Sequence, residues 1–515
     1  MKRCGAICIG VWVACLIHAL PLQAHVGSPN VFFEGMAGPY PVRIVVRPPG
    51  VIPGLADISV RVNTNWVRSV TVLPIRWNSG REGAPRPDEA KPVRGETNLF
   101  SAGLWFMKHG AQSVEVEVIG AAGSGKVIVP VNAVATRVLG MQRNLGWVLK
   151  ILGSLLFVLA VSIVGTAVRE SVLPAGEVPA RKRRWLARAT TVISALALGG
   201  LIAFGKNWWD AEAADYRNKR LYQPLDAKAE LFVEDGRRTL QLRRTSVPPG
   251  GTGPFVPDHG KLMHLFLVRV PDMNAFAHLH PVKMDWRTFE MPLPELPAGT
   301  YRVYGDVTYE SGFADTWTAS VTLPEPAAGN ALTMNDPDDS WTVTHAAGPL
   351  ERRSPIGVGL LMEWIPGEVL TEERDTTLRF VVRETSGDLV TPEPYMGMAA
   401  HLILQREDGS VFTHLHPSGS FSMVAQQLFE LRAEGKAPLA VASSKEDPIC
   451  KLPPLDISWA RANADRTISF PYAFPRAGRY RLWVQTRVRG EVRTGVFDAE
   501  VGAAPKRRTG WFVQR

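Results

Sequence analysis

Short runs in which apolar and polar residues alternate dominate this chain. Val42–Arg47, Ile58–Asn63, Ser69–Ile75, Ser113–Ile119 and Lys126–Val131 each carry the period-two pattern of a strand with one buried face. Turn signals at Pro48-Pro49-Gly50, Ile52-Pro53-Gly54 and Gly123-Ser124-Gly125 separate them. Strands at this spacing predict an immunoglobulin-like β-sandwich over residues 25–143. Asn78–Glu96, rich in Pro, Gly and charge, reads as a mobile loop. The pattern then changes. Ile151–Val168 is uncharged, and Thr190–Phe204 is extended by Trp185, Leu186, Trp208 and Trp209. Runs of this length, with aromatic ends, predict transmembrane helices at 145–168 and 186–205. A buried hairpin in a soluble protein is the competing reading. Alternation resumes over 220–325 and 341–503. The fold class expected is mainly β: three immunoglobulin-like β-sandwich domains with a two-helix transmembrane hairpin between the first and second.

The second half repeats itself. GKLMHLFLVRVPDMNAFAHLHP (260–281) and GMAAHLILQREDGSVFTHLHP (397–417) share a Gly, a His four residues later, an apolar strand, a turn and His-Leu-His-Pro. Ala229–Arg243 and Asp375–Glu384 read as equivalent earlier strands, and Tyr301-Arg302-Val303-Tyr304 matches Tyr480-Arg481-Leu482-Trp483. Copy two carries an insertion, roughly Val424–Asp465, that contains Cys450. A Pro/Gly/Asp-rich linker, Pro324–Ser340, separates the copies.

Residues i and i+2 of a strand share a face. His278 and His280 therefore present two imidazoles side by side, as do His414 and His416, while Leu279 and Leu415 turn to the core. His264 and His401 lie on the preceding strand, within reach across the hairpin. Three imidazoles per copy predict two metal sites, suited to copper or, alternatively, zinc. Met396 and Met398 form another i, i+2 pair whose thioethers suit Cu(I), against the bland reading of core filler. Met263 reads as core. His25, first residue of a chain cut after Ala24, offers an amine and an imidazole, with His109 as partner. His259 and His345 have no counterpart in the other copy and are expected at the surface.

Lys2, Arg3 and the apolar Gly5–Leu20 predict a signal peptide over 1–24. Its removal takes Cys4, Cys8 and Cys15 and leaves Cys450. The segment 169–185 holds Arg169, Arg181, Lys182, Arg183 and Arg184, so it is expected to be a cytoplasmic loop, with both large parts extracytoplasmic. The expected location is a bacterial inner membrane with the large domains in the periplasm. The net charge of +9 is partly this loop, and no nucleic-acid-binding pattern accompanies it.

With His25 behind a signal peptide and strands ending in Val-Glu-Val-Glu-Val, the N-terminal part resembles the periplasmic copper-binding CopC and YtkA-like β-sandwich domains. The resemblance implies copper binding through an N-terminal His, here His25. The GxxxH…HxHP copies resemble a bacterial envelope module found near metal-handling proteins. A multicopper oxidase needs a Cys with nearby His and Met, which Cys450 lacks. A cupin needs a Glu after HxH and a later His; Arg302 and Arg481 stand where that His belongs. The function expected is a membrane-anchored, non-enzymatic protein that binds or traffics copper, with a membrane metal transporter or cuproprotein as partner. The alternatives are a structural envelope protein whose histidines belong to its cores and, lower in rank, a cupin-like metalloenzyme.

Overall fold

A computed structural model describes residues 25–26, 30–64, 66–170, 173–174, 176–222, 225–245, 253–326, 336–349, 351–436 and 466–505. The signal segment 1–24 and Cys450 lie outside the described residues.

The chain is mainly β, in several sheets. The first is an antiparallel sheet of eight strands in the order 31–37, 40–47, 54–62, 99–106, 88–92, 67–76, 110–120, 123–133. It curls until Ala37 meets Gly125; a Cβ on Gly125 would lie 2.0 Å from the Ala37 carbonyl oxygen. Alternate residues fill the interior: Val42, Ile44, Val46, Ile58, Val60, Val70, Val72, Val114 and Val116 are all buried there. The expected mobile loop Asn78–Glu96 contains a strand, Asp88–Pro92, joined at Val70↔Ala90 and Lys91↔Ser101. Its single inward side chain, Ala90, is too little apolar signal for a pattern to register.

Two helices follow, Arg143–Glu170 and Arg181–Asp215, longer than the expected 145–168 and 186–205. Both are long and apolar enough to cross a membrane. Their apolar side chains face outward; only Gly165 and Ala187 are buried. Gly165 sits so close to Thr191 that a Cβ would meet its Oγ1 at 2.2 Å. At the base, Tyr222 N–H donates to Ala135 O and Tyr216 Oη–H to Arg137 O, so both ends of the hairpin leave from one point.

The two copies have the same strand order. Copy one runs 275–279, 264–270, 299–309, 314–323; copy two runs 411–415, 401–406, 478–488, 491–501. The hairpin registers also match: Phe266 pairs with His278, and Ile403 with His414. Leu265, Leu267 and Leu279 enter copy one's own core, and Leu402, Leu404 and Leu415 enter copy two's. The opposite faces pack against each other, which is why these strands are buried on both sides. That shared layer holds Phe266, Phe276, Tyr304, Ile403, Phe412 and Trp483.

The contacts across the layer are reciprocal. Tyr304 of copy one stacks on Phe412 of copy two at 3.8 Å, and Trp483 of copy two stacks on Phe276 of copy one at 4.8 Å. Arg302 donates to the carbonyls of Glu407 and Asp408 in copy two's hairpin turn. Arg481, paired with Asp498, donates to Met273 O in copy one's turn. The halves thus face each other about a pseudo-twofold axis, the geometry of an isologous dimer within one chain.

Part of the expected insertion is the helix Met423–Ala433, capped by Ser422 Oγ. Its Phe429 packs on Ala111 and Ile128 of the first sheet. Arg43 reaches Thr376 O and Thr377 Oγ1, and Arg47 pairs with Asp375, so the first sheet also grips copy two.

Candidate metal centre

His264 and His401 begin the first strand of each hairpin; the HLHP runs end the second. All six therefore lie at one end of the shared layer. The two expected sites are consequently one cluster. His264 lies 5.4 Å from His414, His278 lies 5.9 Å from His414, and His278 lies 6.3 Å from His401, ring centre to ring centre. The sequence hides this because each triad is complete within its own repeat; only the packing of the repeats merges them.

His259, expected at the surface, joins the cluster. Its side chain is 1 % exposed and sits 5.0 Å from His416 and 5.5 Å from His401. A signal for it exists: one residue before the Gly of each copy stands His259 or Met396, both in the left-handed conformation (φ 52° and 47°). The same tight turn follows from both, with bridges Asp258↔Lys261 and Tyr395↔Met398.

Within the cluster, His264, His278 and His280 offer ligand atoms within 4.8 Å of one another, and so do His259, His401 and His416. His280 forms a third such group with Asp336 and Asp339, at the end of the expected linker.

The outer ring nitrogens are held by acceptors. His278 Nδ1 is 2.8 Å from Gln485 Oε1 and 3.3 Å from Tyr395 Oη, whose own proton goes to Asp338 O. His280 Nδ1 donates to Asp339 Oδ1 at 2.9 Å, and His416 Nδ1 to Phe421 O at 3.2 Å. His264 Nε2 donates to Asp258 O at 3.2 Å, and His414 Nδ1 lies 3.3 Å from Asp306 Oδ2. Gln485 and Asp306 are themselves counterparts, paired with His401 and His264. Each holds the middle histidine of the opposite copy.

These partners fix the tautomers. His264 carries its proton on Nε2 and His278 on Nδ1, because each faces acceptors there. Their other nitrogens, His264 Nδ1 and His278 Nε2, then point lone pairs at each other across 3.1 Å. Two lone pairs at that distance repel unless a proton or a cation lies between them. The distance is the separation of two ligands on one ion, since metal–nitrogen bonds of about 2.0–2.1 Å place neighbouring ligand atoms about 3 Å apart. Six further ring nitrogens are buried without a hydrogen bond: His259 Nε2, which lies 3.5 Å from Asp258 Oδ1, His280 Nε2, both nitrogens of His401, His414 Nε2 and His416 Nε2. Buried polar groups are ordinarily satisfied, and an outer acceptor with a free inner nitrogen is the usual support of a metal-bound His.

The electrostatics keep the lone pairs available. Burial first, then neighbouring imidazoles, lowers His264, His278, His401 and His414 well below the ordinary histidine range. Burial brings His259 to about 4 and His416 to about 3. Neutral imidazole is the metal-binding form. Burial also raises Asp306 to about 7. A cavity of about 270 Å³ reaches the cluster at His264, His414 and His416, lined further out by Pro49, Arg137 and Tyr222 near the helical hairpin.

The remaining candidates lie elsewhere. Met398 is buried in the core of the first sheet, with Phe33, Phe421 and Met423. Met263 is core in copy one. Met396 is half-buried on its turn. His25 and Val26 extend copy two's sheet, paired in parallel with Val411 and Phe412. His109 is exposed at a turn of the first sheet, and burial and Arg220 lower it; the structure thus sets it on a different sheet from His25. His345 is exposed, as expected. Arg302 spends its guanidinium on a hairpin turn and Arg481 on Asp498 and the carbonyls of Met273 and His345, so neither is a ligand.

Residues 359–503, most of copy two, match a domain of unknown function, DUF8832. No curated protein matches the chain. Among solved structures it is similar to latent PorU from Porphyromonas gingivalis, at 8% identity over 93% of this chain and 34% of that one, with a TM-score of 0.13. A mutant Salmonella alpha-2-macroglobulin gives 8% identity, 91% and 33% coverage and 0.16. An ICAM-5 ectodomain fragment gives 8%, 88% and 74%, and 0.14. The chain spans about a third of the first two. Likeness at these scores carries no argument about what the chain does.

Proposed function

We propose that this protein is a membrane-anchored metal-binding protein whose centre is the histidine cluster between the two repeats, with copper as its preferred ion. One observation carries the reading: seven histidines converge in a buried layer, and six of their ring nitrogens make no hydrogen bond. A structural role would fill those positions with satisfied or apolar groups. Copper is favoured because imidazole-rich sites bind Cu(II) more tightly than other divalent first-row ions; zinc is the alternative. The anchor is the apolar hairpin, whose basic connecting segment favours the cytoplasm and so sets the cluster on the opposite side. Binding and hand-over of copper in the periplasm, to a membrane transporter or a cuproprotein, is the role these features support.

The test is metal content of the full chain purified in detergent, after loading with copper or zinc and dialysis. Bound metal that disappears when His278 and His280, or His414 and His416, are replaced by Ala supports the reading. No retained metal, with folding intact, leaves the histidines as part of a structural core and overturns it.

A further inference from the structure

The pseudo-twofold axis says more about the cluster than that it binds metal. Several contacts across it are matched in position: Gln485 holds His278 as Asp306 holds His414, and Trp483 stacks on Phe276 as Phe412 stacks on Tyr304. Among the candidate donors themselves, one pair is matched in position and differs in chemistry. His259 and Met396 occupy equivalent left-handed residues before equivalent glycines. His259 stands with the triad of the other copy, forming a ligand group with His401 and His416. The operation that carries copy one onto copy two carries His259 to Met396, and His401 and His416 to His264 and His280.

Resting on the metal-binding reading, we propose that the cluster is a two-ion copper centre with unlike halves. One ion takes His401, His414 and His416 with His259 from the facing turn. The other takes His264, His278 and His280 with the thioether of Met396. Four imidazoles suit either oxidation state of copper, whereas replacing one by a thioether favours Cu(I). The asymmetry lets the halves hold copper with different strength, which a protein that receives and passes on copper needs. The centre is complete only when both repeats are docked, because each half borrows its fourth donor from the other.

Copper K-edge absorption and metal content of the full chain, loaded with Cu(I) under reducing conditions, test this. Two coppers per chain are expected, with a sulfur scatterer in the average coordination shell. Met396→Leu should lose the sulfur signal and weaken one Cu(I) site by roughly 10–100-fold or more, at least the loss typical of disturbing a ligand's support. Met396→His should keep two coppers and show nitrogen only. His259→Ala should weaken the other site while the sulfur signal stays. One copper per chain overturns the two-ion centre and leaves the metal-binding reading standing. Two coppers with no sulfur in the unaltered protein overturn the role of Met396. No copper at all overturns the metal-binding reading itself.

Discussion

His401→Leu is the sharpest single perturbation, because it should reverse sign with metal. His401 is fully buried and neither ring nitrogen has a partner. An unsatisfied buried polar atom costs about 1–3 kcal/mol, so without metal the imidazole weakens the fold by about 2–6 kcal/mol. Leucine has similar volume and no polar atom, and such swaps cost under about 1.5 kcal/mol in fit. Metal-free His401→Leu is therefore expected to be more stable than metal-free native protein by about 1–4 kcal/mol. With about 2–4 °C per kcal/mol for a unit of 150–250 residues, melting rises by several degrees. With metal at about a thousandfold over Kd, binding adds about 4 kcal/mol to the native protein, and the variant gains much less. The assay is thermal unfolding of the full chain in detergent, first with a chelator and then with copper. Lower stability in chelator together with an undiminished copper-induced rise would refute the reasoning: His401 would then be a satisfied core residue.

Three more outcomes follow from named contacts. Asp339→Asn leaves His280 without its carboxylate and should weaken metal binding by about 10–100-fold with little change in metal-free melting, read by competition with a chromophoric chelator. Arg481→Met strips the buried partner from Asp498, from the hairpin carbonyl of Met273 and from the carbonyl of His345; denaturant unfolding should show a loss of about 3–5 kcal/mol, and an unchanged midpoint would contradict the cross-clamp. The metal-free protein should be acid-labile. His259 and His416 titrate near 4 and 3 when folded and near 6.5 when unfolded, so the unfolded chain binds more protons between those values. Stability is then full above about pH 6.5 and falls as pH drops toward 4, by about 2 kcal/mol per histidine at pH 5; a flat profile over that range would refute the burial of neutral imidazoles.

Much of this protein was legible in its order of residues. Period-two alternation marked the strands, uninterrupted apolar runs marked the helical hairpin, and histidines at nearly the same spacing marked the repeats. Those features are local, and local periodicity is what a sequence displays. The i, i+2 geometry of His278 and His280, with Leu279 turned inward, also follows from strand pleating alone. The strand at Asp88–Pro92 and the helix at Met423–Ala433 carry little pattern of their own and are held by tertiary partners.

The centre itself was decided elsewhere. Which face of each hairpin meets which is set by the stacking of Tyr304 on Phe412 and Phe276 on Trp483, contacts between residues more than a hundred positions apart. That docking merges two triads into one cluster and brings in His259 from a turn. It sets Gln485 and Asp306 behind histidines of the opposite copy. A sequence specifies which donors exist; their convergence depends on the burial of apolar surface between two repeats, a property of the folded pair that neither repeat carries alone.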